Sequence, residues 1–167
     1  MAVGKSTVGA ELARSMGYNF IDTDELISAA AKKTIPEIFA KEGEASFRQR
    51  EHQVLKDLQG EQGSVISTGG GIVVEKHNHL LLKKLGYLVW LKCPITEILE
   101  RVRANTDRPL AQGQTLAEAE TKLRELMRQR KPIYQMLSDI EVKANELHLD
   151  DIVYGISESA RLYFDQA

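Results

Sequence analysis

The chain has 167 residues, 43% of them hydrophobic, a formal net charge of −2 and one cysteine, Cys93. That apolar share excludes a disordered chain, and the near-neutral charge gives no global pull toward nucleic acid or a membrane surface. One cysteine excludes an internal disulfide framework, no apolar stretch approaches the ~18–20 residues of a membrane span, and the N-terminus carries no signal-peptide pattern, so a single cytoplasmic domain over residues 1–167 is expected.

Gly4-Lys5-Ser6-Thr7 reads as the closing part of the phosphate loop G-x-x-x-x-G-K-[ST]. The first glycine of that motif, and the strand that normally delivers it, would fall before Met1. Val8, Leu12 and Met16, spaced four apart, predict a helix over 6–16, with Gly17 as its stop. "YNFID" predicts a short buried strand ending at Asp22, and 25–33 a helix. Thr34 suits an N-cap with Pro36 in the first turn of a helix closed by Gly43, and 44–58 forms a second, charged helix. "SVIST" is a strand running into Gly69-Gly70-Gly71. A helix over 75–85 ends at Gly86. "YLVWLKC" is continuous and apolar, as in a sheet buried on both faces, with Cys93 as a small residue at its end. A helix follows over 95–103, then a polar loop, then a helix over 116–131 broken by Pro132, a strand in "SDIEVKA" and a last helix over 150–164. Strands alternating with helices of this length indicate parallel βαβ units, and one further strand before Ser6 completes the pattern.

Three constellations carry chemistry. Backbone N–H groups at a helix N-terminus, a lysine and a Ser/Thr hydroxyl surround the phosphates of a nucleotide, and Gly4, Lys5, Ser6 and Thr7 stand in that order before a helix. Lysine at a helix N-terminus is electrostatically unfavourable, and a bound polyphosphate reverses that sign. Asp22 and Asp24 flank Thr23 at a strand's C-terminal end, where parallel sheets place ligands, and suit a metal and a hydroxyl substrate. The same residues also suit helix N-capping by Thr23 or Asp24. The three glycines after "SVIST" allow a backbone to approach a ligand closely. Taken singly, Arg48, Arg103, Arg108 and Arg130 read as solvated surface charges, as do Arg50 and Arg128. Arg108, before Pro109 in the polar loop, also suits a lid that brings a cation onto a transferring phosphate.

In order, G-K-S-T, F-I-D-T-D, F-R-x-x-E, S-T-G-G-G, R-P-L and R-x-P-x-Y resemble the shikimate kinase family, from Gly4 to the C-terminal helix. The resemblance implies an α/β, three-layer P-loop kinase fold with a five-stranded parallel core, a substrate-binding segment near 25–59 and a lid near 105–115. It implies ATP-dependent phosphorylation of the 3-hydroxyl of shikimate, with Mg2+ as cofactor, in a monomer. Carried over by position, Lys5 contacts the β/γ-phosphates, Ser6 binds Mg2+ and Asp22 holds it through water. Asp24 accepts a hydrogen bond from the reacting hydroxyl and serves as general base. Arg48 and Arg130 hold the substrate carboxylate, and Gly70 and Gly71 lie against its ring. Arg108 reaches the phosphates from the lid, Arg103 stacks on adenine, and Asn145 and Glu146 fall in the adenine-side loop. The chain departs from the family in lacking the first loop glycine and first strand. Family members often carry methionine inside the loop at the position where Met1 stands, so an upstream strand is expected. The lid is about two residues shorter than the longest family versions. A gluconate kinase on the same fold and a non-catalytic kinase-like binding module are the alternatives.

Overall fold

Short apolar runs separated by helices fold into parallel strands, because each helical crossover returns the chain to the end of the sheet where the previous strand began. The structure, a computed structural model, describes residues 3–104 and 115–166. In chain order its elements are α1 (Lys5–Met16), β1 (Asn19–Asp22), α2 (Thr23–Ala31), α3 (Ile35–Asp57), β2 (Ser64–Ser67), α4 (His77–Leu85), β3 (Val89–Lys92), α5 (Ile95–Ala104), α6 (Leu116–Leu137), β4 (Ile140–Lys143) and α7 (Leu149–Asp165). Strands β1 and β2 pair in parallel with Asp22 opposite Ser67, and β3 pairs with β4 with Lys92 opposite Lys143.

Successive strand residues face opposite sides of a sheet. Along β3, Val89 and Leu91 join Val8 and Leu12 of α1 and Ile152, Val153 and Ile156 of α7. Leu88 joins Leu55, Leu82 and Leu137 of α3, α4 and α6 on the other face, where Trp90 packs on Tyr134 with ring centroids 5.3 Å apart. Helices therefore cover both faces, which is the three-layer α/β arrangement expected. A third cluster, Ile27, Ile38 and Phe47, gives α2 and α3 a small core of their own.

Among the described residues the two strand pairs remain separate sheets. Between them lies a cavity of about 570 Å3, lined by every residue of β2 and β3 and by none of β1 or β4. Val8 and Leu12 close it from one helix layer, Leu82 and Tyr134 from the other, and Val3 also lines it. The facing edges of β2 and β3 therefore call for an extended, apolar segment between them. Such a segment would unite the four strands into the five-stranded sheet expected.

Three expected boundaries move. The helix expected over 25–33 begins at Thr23, because the Asp22 side chain, not Thr23 or Asp24, accepts the capping bond from the Asp24 N–H. The two helices expected over 35–58 form one helix, kinked at Gly43 with φ 82° and ψ 172°, and Thr34 and Glu37 form its capping box. Helix α6 runs through Pro132 to Leu137 instead of stopping. Proline removes one N–H donor, but Ile133, Tyr134 and Leu137 all pack in the core beyond it. Across the Gly43 kink, Glu42 accepts from Lys33 at 2.6 Å, Ser46 at 2.7 Å and Arg50 at 2.9 Å. The Lys33 bond, then those from Arg50 and Ser46, hold the Glu42 carboxyl down to about 2. Arg50 is thus part of a clamp, where a plain surface charge was expected.

Filling the cavity with a strand buries several apolar side chains, each worth about 1.5–3 kcal/mol when fully buried. A version extended upstream of Met1 by about ten mostly apolar residues should melt about 10 °C or more above the 167-residue chain, at about 2–4 °C per kcal/mol. Thermal unfolding of both lengths checks this, and equal midpoints would show that the cavity needs no strand.

Candidate active site

The site assembles where β1 and β2 end side by side. Gly4 precedes α1 in a left-handed conformation, φ 94° and ψ 18°, and no side chain caps that helix. Its first turn also lacks an acidic residue, so no carboxylate within the helix offsets the positive end of its dipole. Lys5, Ser6 and Thr7 form that turn. Lys5 lines the end of the cavity together with Gly69, Gly70 and Arg130.

Asp22 is shared between two neighbours. Its Oδ1 accepts from the Asp24 N–H at 2.9 Å, which starts α2, and its Oδ2 accepts from the Ser6 hydroxyl at 3.3 Å. One carboxylate thereby ties the phosphate-loop helix to the helix carrying Asp24. Ser6 and Asp22 offer adjacent oxygen donors, the chemistry a hard divalent cation prefers. Among the described residues no group of three or more His, Cys, Asp or Glu side chains converges as a closed metal cage.

The three glycines after β2 each meet different side chains. A Cβ on Gly69 would lie 2.9 Å from Glu51 Oε1 and 3.0 Å from Asp24 Oδ1. A Cβ on Gly70 would lie 3.3 Å from the Tyr134 hydroxyl and 3.8 Å from Arg130 Nη1. A Cβ on Gly71 would collide with the Arg48 guanidinium, whose Cζ is 2.8 Å from that position. Two hydrogen bonds to side chains tie this loop to its neighbours. The Gly69 N–H donates to Thr23 Oγ1 at 3.3 Å, and Tyr134 donates to the Gly70 carbonyl at 2.5 Å. Burial pushes the Tyr134 phenol up, which keeps it a donor.

Arg48 is held by its own helix. It donates from Nη1 to Glu51 at 2.5 Å and from Nη2 to Glu44 at 2.9 Å. Burial lowers its basicity, but the bonds to Glu51 and Glu44 more than offset this and leave it raised. Glu51 is buried, and burial raises its carboxyl above the usual range against the opposing pull of Arg48.

Of the expected site residues, the structure brings together Gly4, Lys5, Ser6, Thr7, Asp22, Asp24, Arg48, Gly70, Gly71 and Arg130. Asn145 and Glu146 lie in the turn after β4, where Glu146 pairs with Lys143 at 3.0 Å. Arg103 falls on the last turn of α5, and Arg108, like the expected lid over 105–115 except Thr115, lies outside the described residues. Sequence reasoning gave Thr23 only a possible N-capping part and assigned none to Glu51 or Tyr134, although Glu51 closes the F-R-x-x-E motif and Tyr134 the R-x-P-x-Y motif.

An uncapped helix behind G-K-S-T, paired with two acidic residues at a strand end, defines the class: a P-loop kinase acting on a small molecule. The family model for shikimate kinase matches residues 1–161. A shikimate kinase of Halorhodospira halophila is 43% identical over 143 residues, which is 86% of this chain and 79% of that one. The structure of Acinetobacter baumannii shikimate kinase in complex with shikimate superposes with a TM-score of 0.85 at 37% identity, covering 95% of this chain and 87% of that one. A gluconokinase from Sinorhizobium meliloti, at 16% identity and a TM-score of 0.59 over 100% of this chain and 93% of its own, shares the fold alone. The chain belongs to the shikimate kinase family.

Because Arg48 presses on Gly71, Gly71→Ala must push the guanidinium away. A carboxylate ligand should then bind at least about tenfold more weakly, the loss of roughly one charged hydrogen bond. Titration calorimetry with shikimate and, separately, with ATP checks this, since ATP affinity should stay unchanged.

Proposed function

We propose that this chain transfers the γ-phosphoryl group of ATP to the 3-hydroxyl of shikimate, a step in aromatic amino-acid biosynthesis. One observation carries the reading. Three consecutive glycines present an acidic carboxylate, Asp24, and two guanidinium groups, Arg130 and Arg48, to one small volume. A small molecule bearing both a hydroxyl and a carboxylate fits that spacing of opposite charges. Asp24 would accept the hydroxyl hydrogen bond and serve as general base, and Arg48 with Arg130 would take the carboxylate, a geometry suited to paired guanidinium donors. Gly70 and Gly71, without side chains, leave room for the ring.

On the nucleotide side, the N–H groups following Gly4 and the Lys5 ammonium would hold the β/γ-phosphates, with Ser6 and Thr7 in the same turn. Ser6 and, through water, Asp22 would hold Mg2+, which when bound neutralises phosphate charge. Arg108 would add a second cation from the lid, Arg103 would stack on adenine and Asn145 would border it. Transfer is then in-line, with positioning and charge neutralisation supplying most of the rate. We further propose a monomeric, cytoplasmic enzyme. Among the described residues no helix is long and apolar enough to cross a membrane.

Shikimate-dependent ADP release tests the reading. Turnover with gluconate instead would move the chain to the other small-molecule kinase, and binding without turnover would make it a binding module. Lys5→Ala should abolish turnover while leaving shikimate binding largely intact. Asp24→Asn should lower kcat by about 10²–10⁴, the usual worth of a general base, with the KM for ATP little changed. Steady-state kinetics of both variants check this. A neutral Asp24→Asn beside a severe Asp22→Asn would exchange the roles of the two carboxylates.

A further inference from the structure

Glu51 is a buried acid that the phosphoryl transfer does not use. It is 1% exposed, its Oε2 accepts from Arg48 at 2.5 Å, and its Oε1 is buried with no hydrogen-bond partner among the described residues. That oxygen and Asp24 Oδ1 both lie within 3.0 Å of one point beside Gly69. The charged groups facing Glu51 are Arg48 and, through it, Glu44 on its own helix, Asp24 from α2 and Arg130 from α6.

The Arg48 guanidinium is committed to two carboxylates. Glu44 is two-thirds exposed and can turn into water when a third carboxylate arrives. Glu51 cannot, because its side chain is enclosed. A bound carboxylate substrate therefore brings a further negative charge beside Glu51 and Asp24, and it competes with Glu51 for Arg48. That added negative charge opposes its ionised form.

We propose that Glu51 takes up one proton when a carboxylate substrate binds at Arg48, and so acts as the charge-balancing acid of the site. The inference rests on the substrate reading above. The proton comes from a buffer acid, which becomes its conjugate base, and adds to the enclosed carboxylate of Glu51. Oε2 goes on accepting from Arg48. Glu51 is a positioning residue here, keeping Arg48 seated against Gly71 while sparing the site an excess negative charge. The linkage sign follows. Uptake of a proton on binding weakens affinity as pH rises, by at most tenfold per pH unit.

Titration calorimetry of shikimate into the whole protein, in PIPES and in Tris at the same near-neutral pH, tests this. The observed heats should differ between buffers by up to one proton taken up per shikimate bound. Glu51→Gln should still bind shikimate but lose the buffer dependence, whereas Glu44→Gln should keep it. Identical wild-type heats in the two buffers, or an undiminished dependence in Glu51→Gln, would overturn the proposal. Should Glu51→Gln not fold, the wild-type affinity decides between pH 6 and 9: a flat profile overturns the proposal and a progressive weakening supports it. Absence of shikimate binding in every buffer removes the substrate reading itself, and the proposal with it.

Discussion

Parallel strands buried on both faces have nowhere to place their backbone N–H and C=O groups except on another strand. The pairing of β1 with β2 sets Asp22 opposite Ser67, and most of the site follows from that one register. Asp22 ends β1 just where Ser6 and the Asp24 N–H can share its carboxylate. Ser67 ends β2 just before the three glycines, and Thr23 ties the first of them back to α2. A slip of one residue would turn every side chain to the opposite face and separate these groups. The same demand for pairing applies to the facing edges of β2 and β3, which border the cavity between the two sheets.

Charge organises what the strands bring together. The start of α1 has no acidic residue in its own first turn and no side-chain cap, which favours anions there. Beside the three glycines it is the reverse: arginine and carboxylates are in contact with one another. Arg48 carries two glutamates, one enclosed and one open to water. This prepayment costs little conformational entropy on binding, since the guanidinium is already seated against Gly71.

Much of this was legible in the amino-acid order. The helix after G-K-S-T, the strand ending at Asp22, the Thr34 cap and the apolar strand before Cys93 follow from short-range periodicity and turn chemistry. What was hidden depends on contacts between distant residues. Pro132 signals a stop locally, yet Ile133 and Leu137 reach core partners that no local window contains. Asp22 looked like a ligand only, and its second task as a helix cap depends on backbone direction at the strand end. Thr23, Glu51 and Tyr134 are ordinary residues in sequence. Their importance arises because Gly69 and Gly70 come to rest beside them, from 46, 18 and 64 positions away.

The bend of α3 at Gly43 divides that helix into a short arm and a long arm, and the long arm carries both Arg48 and Glu51. Glycine alone tolerates such a φ comfortably, but it does not choose the angle between the arms. That choice falls to Glu42, which grips Lys33 before the bend and Arg50 beyond it. With its carboxyl held at about 2, the grip stays ionised through mild acid and lets go only in strong acid. Added salt loosens it little, because charges 2.6 and 2.9 Å apart lie well inside a Debye length of about 8 Å at physiological ionic strength. The protein thus has an elbow that keeps its angle through moderate changes of acidity and salt, and the arm beyond it carries Arg48 and Glu51 to the three glycines.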